Sequence, residues 1–296
     1  MRSRAARWAL LGLVAVVVTI AALEIALEVA SRWGAPRRSF DAQALARAEI
    51  VVYGDSTPYG LGNRISFPSE IERRTGVPVA NRSWPGLNST QVSRILDEDL
   101  ATVAPRVVIV MAGANDGWNL EDVPVELLGA SARWYHRLPR WRVVRLAAIG
   151  LEAGLGRTAY DSAMARGWGR REETARLLSN DALRQILAAS YRRMREAATA
   201  RGAEILFVAY QAEGYNRVAD LAEDVLRAEH ADRVVHLRDL FLTADGERRM
   251  IQDDAFHPTD DGQRAIAARV LDELVRRGWV EASTAGSVGA SSNDRD

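Results

Sequence analysis

The chain contains no cysteine, which removes disulfides, thiolate-held zinc or iron-sulfur centres and a thiol nucleophile from consideration. The compartment stays open, because a chain without cysteine suits either side of a membrane. An excess of charge of either sign is also missing. The 39 basic residues balance 39 acidic ones, so net charge favours neither a nucleic-acid partner nor a strongly acidic substrate. The basic residues are arginines interspersed with acids, the pattern of solvated helix faces rather than of a binding stripe. No internal repeat is found, and only four histidines occur, so candidate bases are few.

Apolar residues are plentiful enough for one substantial core. At 296 residues and 48% hydrophobic, one domain with a tail at each end is the economical reading. A long hydrophobic run opens the chain. Arg2, Arg4 and Arg7 precede Trp8 to Leu23, and an amphipathic extension to Ala30 brings the segment close to the roughly 20 residues that a membrane span needs. Residues 1–33 are therefore expected to form an uncleaved anchor or signal-anchor. Cleavage near the small residues Thr19, Ala21 and Ala22 would instead release a secreted protein, but Leu23 and Glu24 make a poor mature terminus. Because Arg32, Arg37 and Arg38 follow the run, orientation rests on the default for a first span: a single-pass anchor with its N-terminus in the cytoplasm and the domain periplasmic or extracellular. Residues 34–48 suit a polar tether, and 281–296 a disordered tail.

Between them lies a domain expected over 49–280. Strands are predicted at 49–53, 77–80, 106–112, 204–210 and 233–238, the first and third being continuous β-branched runs of the kind buried on both faces. Helices are predicted at 66–75, 88–103, 174–201, near 216–230 and at 259–277, with Gly76, Gly202 and Gly278 as stops. Such alternation implies a mainly parallel sheet in a three-layer α/β/α sandwich, with ligand sites at the carboxyl ends of the strands. Residues 117–173 interrupt the rhythm with Trp118, Trp134, Tyr135, Trp141, Tyr160 and Trp168. This insertion reads either as helices whose aromatics pack on the domain or as a lid and substrate platform.

Four short motifs stand where chemistry is expected. Gly54-Asp55-Ser56 follows the first strand, a place that exposes a serine hydroxyl, which still needs a neighbouring base before it can attack. Asp254-Ala-Phe-His257 precedes the last helix, and a carboxylate three residues before a histidine can hold the ring in one tautomer. Asp253 is a rival for that carboxylate. His136, His230 and His236 are poorer bases by context, lying among arginines, at a helix end and inside a strand. Gly113-Ala-Asn115-Asp116 follows the third strand and could supply an amide to a developing oxyanion. Asn81 to Gly86 follows the second, where Gly86 could present its N–H to the same oxygen, while Asn88 could equally cap the next helix. Each motif alone also reads as an ordinary turn. Their joint placement along one sheet edge favours a site.

In this order the GDS of Gly54 to Ser56, the glycine at Gly86, the GxND of Gly113 to Asp116 and the DxxH of Asp254 to His257 resemble the sequence blocks of the SGNH (GDSL-like) hydrolases, over roughly residues 49–278. The resemblance implies a flavodoxin-like sheet, a triad of Ser56, His257 and Asp254, and an oxyanion hole from the Ser56 and Gly86 amides and the Asn115 side chain. One departure stands at Pro58, in Thr57-Pro58-Tyr59-Gly60, expected to reshape the pocket rim. No cofactor is implied, and Asp253, Asp254 and His257 offer too few oxygen ligands for a hard metal ion. Carboxylic esters are the implied substrates, and an envelope location favours acylated glycans, lipids or small molecules. Two alternatives are an O-acyltransferase with a sugar acceptor and a non-catalytic envelope-binding protein. The sequence does not specify an oligomeric state.

Overall fold

The computed structural model describes residues 8, 11–12, 14–26, 42–120, 122–128, 178–210, 217–242, 249–254 and 256–281. Of the expected insertion, residues 117–120 and 122–128 are described; the rest of it, the tether before residue 42 and the tail beyond 281 lie outside. The chain divides into two units, residues 1–40 with 128–174 and residues 41–127 with 175–296. In the first, residues 14–26 are helical and carry exposed Val14, Val16, Val17, Val18, Leu23 and Ile25. Among the described residues no helix is long and apolar enough to cross a membrane.

The second unit holds α1 (Ala42–Arg47), β1 (Ile50–Gly54), α2 (Ser56–Tyr59), α3 (Phe67–Thr75), β2 (Val79–Asn81), α4 (Ser89–Leu100), β3 (Val107–Met111) and all but the last residue of α5 (Val125–Leu128). It continues with α6 (Asn180–Ala200), β4 (Glu204–Val208), α7 (Arg217–Glu229), β5 (Val234–Val235), α8 (Arg238–Phe241) and α9 (Asp260–Arg276). The strands form one parallel sheet in the order β2-β1-β3-β4-β5, covered by helices on both sides. β1 and β3 are buried along their whole length, which explains their unbroken apolar sequence. The pleat separates two faces. Ile50, Val52, Val107, Ile109, Met111, Leu206 and Val208 share a cluster with Phe67 and Ile71 of α3 and Ile266, Val270 and Leu274 of α9. On the other face Phe207 meets Tyr191 of α6 edge-on at 5.4 Å, and α6 packs against α4 and α7. Each fully buried large aliphatic contributes about 1.5–3 kcal/mol relative to exposure.

Helix boundaries follow their caps. Ser66 and Ser69 form a capping box at α3, Asn88 and Gln91 one at α4, and Ser179 and Thr259 cap α6 and α9. Asn88 is thus the cap of α4, the role open to it in the sequence.

Differences from the expected elements cluster at the edge. The strand expected over 233–238 is only two residues long, because β5 pairs with β4 alone, and Leu237 turns into the core before α8 begins. β4 accordingly ends at Val208, which frees Tyr210 to turn away from the ladder. Helix α6 starts at Asn180 behind its Ser179 cap. Residues 42–47, expected within the tether, form α1 and bury Leu45. The one-turn helix α2 was not anticipated.

Candidate active site

β1 delivers its last residue into a space that only glycine fits: a Cβ on Gly54 would lie 2.1 Å from the Met111 carbonyl oxygen and 2.5 Å from Pro58 Cγ. The chain then turns at once into α2. Asp55 caps this helix, its Oδ1 accepting the Thr57 N–H at 3.2 Å. Pro58 sits in the first turn, where its missing N–H forfeits no helical bond, and the Gly60 N–H closes the turn on the Ser56 and Thr57 carbonyls. The unusual proline is therefore accommodated by making the turn helical. Ser56 is 8% exposed at the start of α2.

The segment 250–259 folds back on itself through an isolated antiparallel bridge between Ile251 and Pro258. Gln252 N–H donates to the His257 carbonyl at 2.7 Å, and Thr259 N–H to the Met250 carbonyl at 2.8 Å. Inside this loop Asp254 Oδ1 accepts the N–H groups of Phe256 at 3.0 Å and His257 at 2.9 Å, while Oδ2 bonds His257 Nδ1. With Nδ1–H given to the carboxylate, Nε2 is left as the acceptor, and it lies 2.7 Å from Ser56 Oγ. Burial pulls the Asp254 carboxyl upward, but the donation from His257 and from the two backbone N–H groups outweighs it and holds the group below its usual range. It therefore carries its charge at neutral pH. Asp253 makes no such contact with His257. His230 is buried against the Tyr191 and Phe207 rings, His236 bonds Glu223, and His136 lies outside the described residues.

The serine and histidine loops are laced together by polar side chains that the sequence does not single out. Buried Gln263 of α9 accepts the Phe67 N–H at 2.8 Å and donates to the Thr57 carbonyl at 2.9 Å. Gln252 Nε2 reaches the carbonyls of Leu61 at 3.0 Å and Pro258 at 2.7 Å, Asn63 Nδ2 reaches Pro258 at 3.0 Å, and Asp260 accepts the Arg64 N–H at 3.0 Å. These bonds set the spacing between Ser56 and His257. Each engages backbone groups of loops or helix ends rather than of the sheet ladder.

Asn115 and Gly86 meet beside this pair. The Asn115 amide nitrogen lies 3.0 Å from the Leu87 carbonyl and 3.3 Å from Asp55 Oδ2, and its oxygen accepts Trp118 Nε1–H at 3.0 Å, which defines which way the amide faces. The ring of Trp118 lies against Gly86, 3.4 Å from where a Cβ would stand, and Gly86 has φ +84°, a conformation that favours glycine. Asn119 braces the same loop by donating to the Gly86 carbonyl at 2.7 Å. The N–H groups of Ser56 and Gly86 have no acceptor among the described residues.

Two carboxyls are buried directly behind. Asp55 Oδ2 accepts from Tyr210 Oη and Asn115, and burial, offset by Tyr210, the Thr57 N–H and nearby His257, pushes its pKa up to about 6. Asp116 accepts the Ser89 N–H at 2.9 Å and the Ser89 hydroxyl; burial outweighs these donors and, with Asp55 nearby, pushes it to about 7. Among the described residues no three His, Asp or Glu side chains are grouped so as to hold a metal ion.

Residues 52–265 match the model of the GDSL-like Lipase/Acylhydrolase family. The chain belongs to that family. It is a serine esterase of the SGNH type, on a parallel five-stranded sheet. Among solved structures this esterase is similar to the lipase/acylhydrolase from Enterococcus faecalis, at 15% identity over 79% of this chain and 97% of that one, with a TM-score of 0.48. A lipolytic protein of the G-D-S-L family from Veillonella parvula DSM 2008 matches at 14% identity, 77% and 98% coverage and TM-score 0.48. TesA matches at 20% identity, 76% and 97% coverage and TM-score 0.47. A search of curated proteins found no match.

Sequence reasoning had passed over Tyr210, Trp118, Asn119, Gln252 and Gln263. Tyr210 read as the end of a strand and Trp118 as the start of an insertion. An aromatic two or three residues past a motif or strand end was the available signal.

Proposed function

We propose that this esterase cleaves carboxylic esters through an acyl-enzyme on Ser56, with His257 as general base, Asp254 as its orienting partner, and the Ser56 N–H, Gly86 N–H and Asn115 amide as oxyanion donors. The observation that carries the reading is the continuous chain from Ser56 Oγ through the His257 ring to Asp254, with 2.7 Å at the serine end. A serine hydroxyl is a poor nucleophile at its own pKa, and an aligned imidazole removes that handicap by taking the proton as Oγ attacks. Asp254 keeps Nε2 free and stabilises the imidazolium that forms. The ester carbonyl oxygen becomes an anion between the two unpaired N–H groups, and the Asn115 N–H on the Leu87 side is shared with it. His257 returns the proton to the leaving alcohol. Water then attacks the acyl-enzyme by the same route in reverse.

Acylated glycans or lipids of the cell envelope are the substrates favoured by the same proposal, with residues 1–33 as a membrane anchor and the domain outside the cytoplasm. Support for the anchor comes from the helical segment 14–26 and its exposed apolar side chains. Release of the full-length chain from membranes by alkaline carbonate would contradict it. For the chemistry, the full-length protein should hydrolyse p-nitrophenyl acetate and label with a fluorophosphonate. Both should vanish in Ser56→Ala, and turnover equal to wild type in that variant would overturn the nucleophile assignment.

A further inference from the structure

Tyr210 belongs to none of the four motifs, yet it touches three of their loops. It lies just beyond β4, is 3% exposed, and accepts the Ala114 N–H at 3.2 Å while donating its hydroxyl to Asp55 Oδ2. The same Oδ2 receives the Asn115 amide at 3.3 Å. Its ring lies 6.0 Å from that of Phe256, which meets His257 edge-on at 5.3 Å. Asn115 is thus gripped from two directions: its backbone through the preceding residue, and its side chain through a carboxylate that Tyr210 itself orients.

We propose that Tyr210 is a positioning residue for Asn115, holding the amide in the orientation that donates to the oxyanion by fixing both Asp55 and the Ala114 peptide. The inference rests on the acyl-enzyme reading above and adds to it a residue that makes no contact with the reacting atoms. The amide has two N–H groups. Asp55 engages one, so the other, which donates to the Leu87 carbonyl at 3.0 Å, is the one that substrate would share. Without the tyrosine hydroxyl, Oδ2 keeps only the longer amide contact, and a buried carboxylate with an unfilled site satisfies itself by drawing on the amide or by taking a proton. Either change moves the Asn115 amide out of the orientation in which it donates to substrate. Oxyanion donors act through alignment in the transition state, so the loss falls on kcat rather than KM.

A pH signature accompanies this geometry. The groups facing Asp55 are His257 from the loop before α9, Asp116 after β3, Tyr191 of α6 and Tyr210 after β4, with the Thr57 N–H and Asn115 as further donors. Tyr210's donation lowers the Asp55 pKa, so its removal makes Asp55 hold a proton to higher pH. A protonated Asp55 grips the Asn115 amide less well, and the acid limb of kcat moves to higher pH.

The test compares wild type, Tyr210→Phe, Asn115→Ala and the double variant as full-length proteins, with p-nitrophenyl acetate as substrate and Ser56→Ala as control. Tyr210→Phe is expected to lower kcat roughly 10- to 100-fold with KM within about twofold, and to shift the acid limb upward. In the Asn115→Ala background it should cost no further activity, since the group it positions is gone. Losses that multiply, or a Tyr210→Phe profile identical to wild type, would overturn the inference while leaving the nucleophile reading intact. Turnover that survives Ser56→Ala would overturn both. Should Tyr210→Phe fold poorly, Asp55→Asn breaks the same link at constant volume, and its effect must likewise disappear in Asn115→Ala.

Discussion

Carboxylates on the outer helices face arginine, whereas the two behind the active site face neutral donors. Glu70 binds Arg73 and Arg74, Asp99 binds Arg82, Asp239 binds Arg269, and Glu273 binds Arg276 and Arg277. The hydrogen bond from Arg73 leads in pulling Glu70 down to about 2, and Asp239 and Glu273 are also lowered, led by Arg269 and Arg276. Asp55 and Asp116 accept from N–H and O–H groups only, and burial drives both upward. The exposed Asp239–Arg269 pair holds charge that water would also hold and is worth little, whereas Glu70 and Asp99 are themselves buried and rely on their arginines for compensation. The inner pair keeps charge, or the proton that replaces it, where solvation is poor. Perturbed groups of this kind gather at sites of chemistry. Asp254 stands between the two classes, partly exposed and held by His257 and two backbone N–H groups.

The largest expected effect breaks Asp254 itself. Asp254→Asn should lower kcat/KM by roughly 10³-fold or more, because an amide can present an N–H to Nδ1 and leave the wrong tautomer at Nε2. Its melting temperature should stay near wild type; an activity loss below tenfold would remove Asp254 from its assigned role.

Asp116→Asn sharpens the contrast through stability. Its folded pKa of about 7 exceeds that of an ordinary aspartate, so this carboxyl stabilises the fold below the unfolded pKa and loses that contribution as pH rises through about 7. The asparagine can still accept from Ser89 but bears no charge. Its advantage over wild type in thermal unfolding should therefore be greater at pH 8 than at pH 5, by on the order of 1–3 kcal/mol. Equal differences at both pH values would show that Asp116 titrates normally.

The smallest effect belongs to the outer class. Arg269→Ala should cost about 0.5–1 kcal/mol in denaturant unfolding, less at high salt, with kcat/KM unchanged. A salt-independent loss would mean that its bond to the His236 carbonyl, rather than the pairing with Asp239, dominates.

Much of this was legible in the chain. The unbroken runs at β1 and β3 announced a sheet covered on both faces, and the ordered motifs singled out Ser56, Asp254 and His257, whose side chains meet. Asn115 and Gly86 also adjoin, through Trp118. The two-residue β5 was not legible, because Val-Val-His-Leu carries a strand's composition whatever its partner supplies. Nor was α2, since Ser-Thr-Pro-Tyr is as good a turn as a helix.

Local pattern determined the alternation of strands and helices, the capped helix ends and the positions of the motifs, because period and turn chemistry act over a few residues. Tertiary structure decided the rest: that Gln263 ties the serine loop to α9, that Trp118 orients an amide, and that Tyr210 links Asp55 to Ala114. Those contacts bind buried polar groups to partners far away in sequence. They follow no period, and only the folded sheet brings their ends within hydrogen-bonding distance.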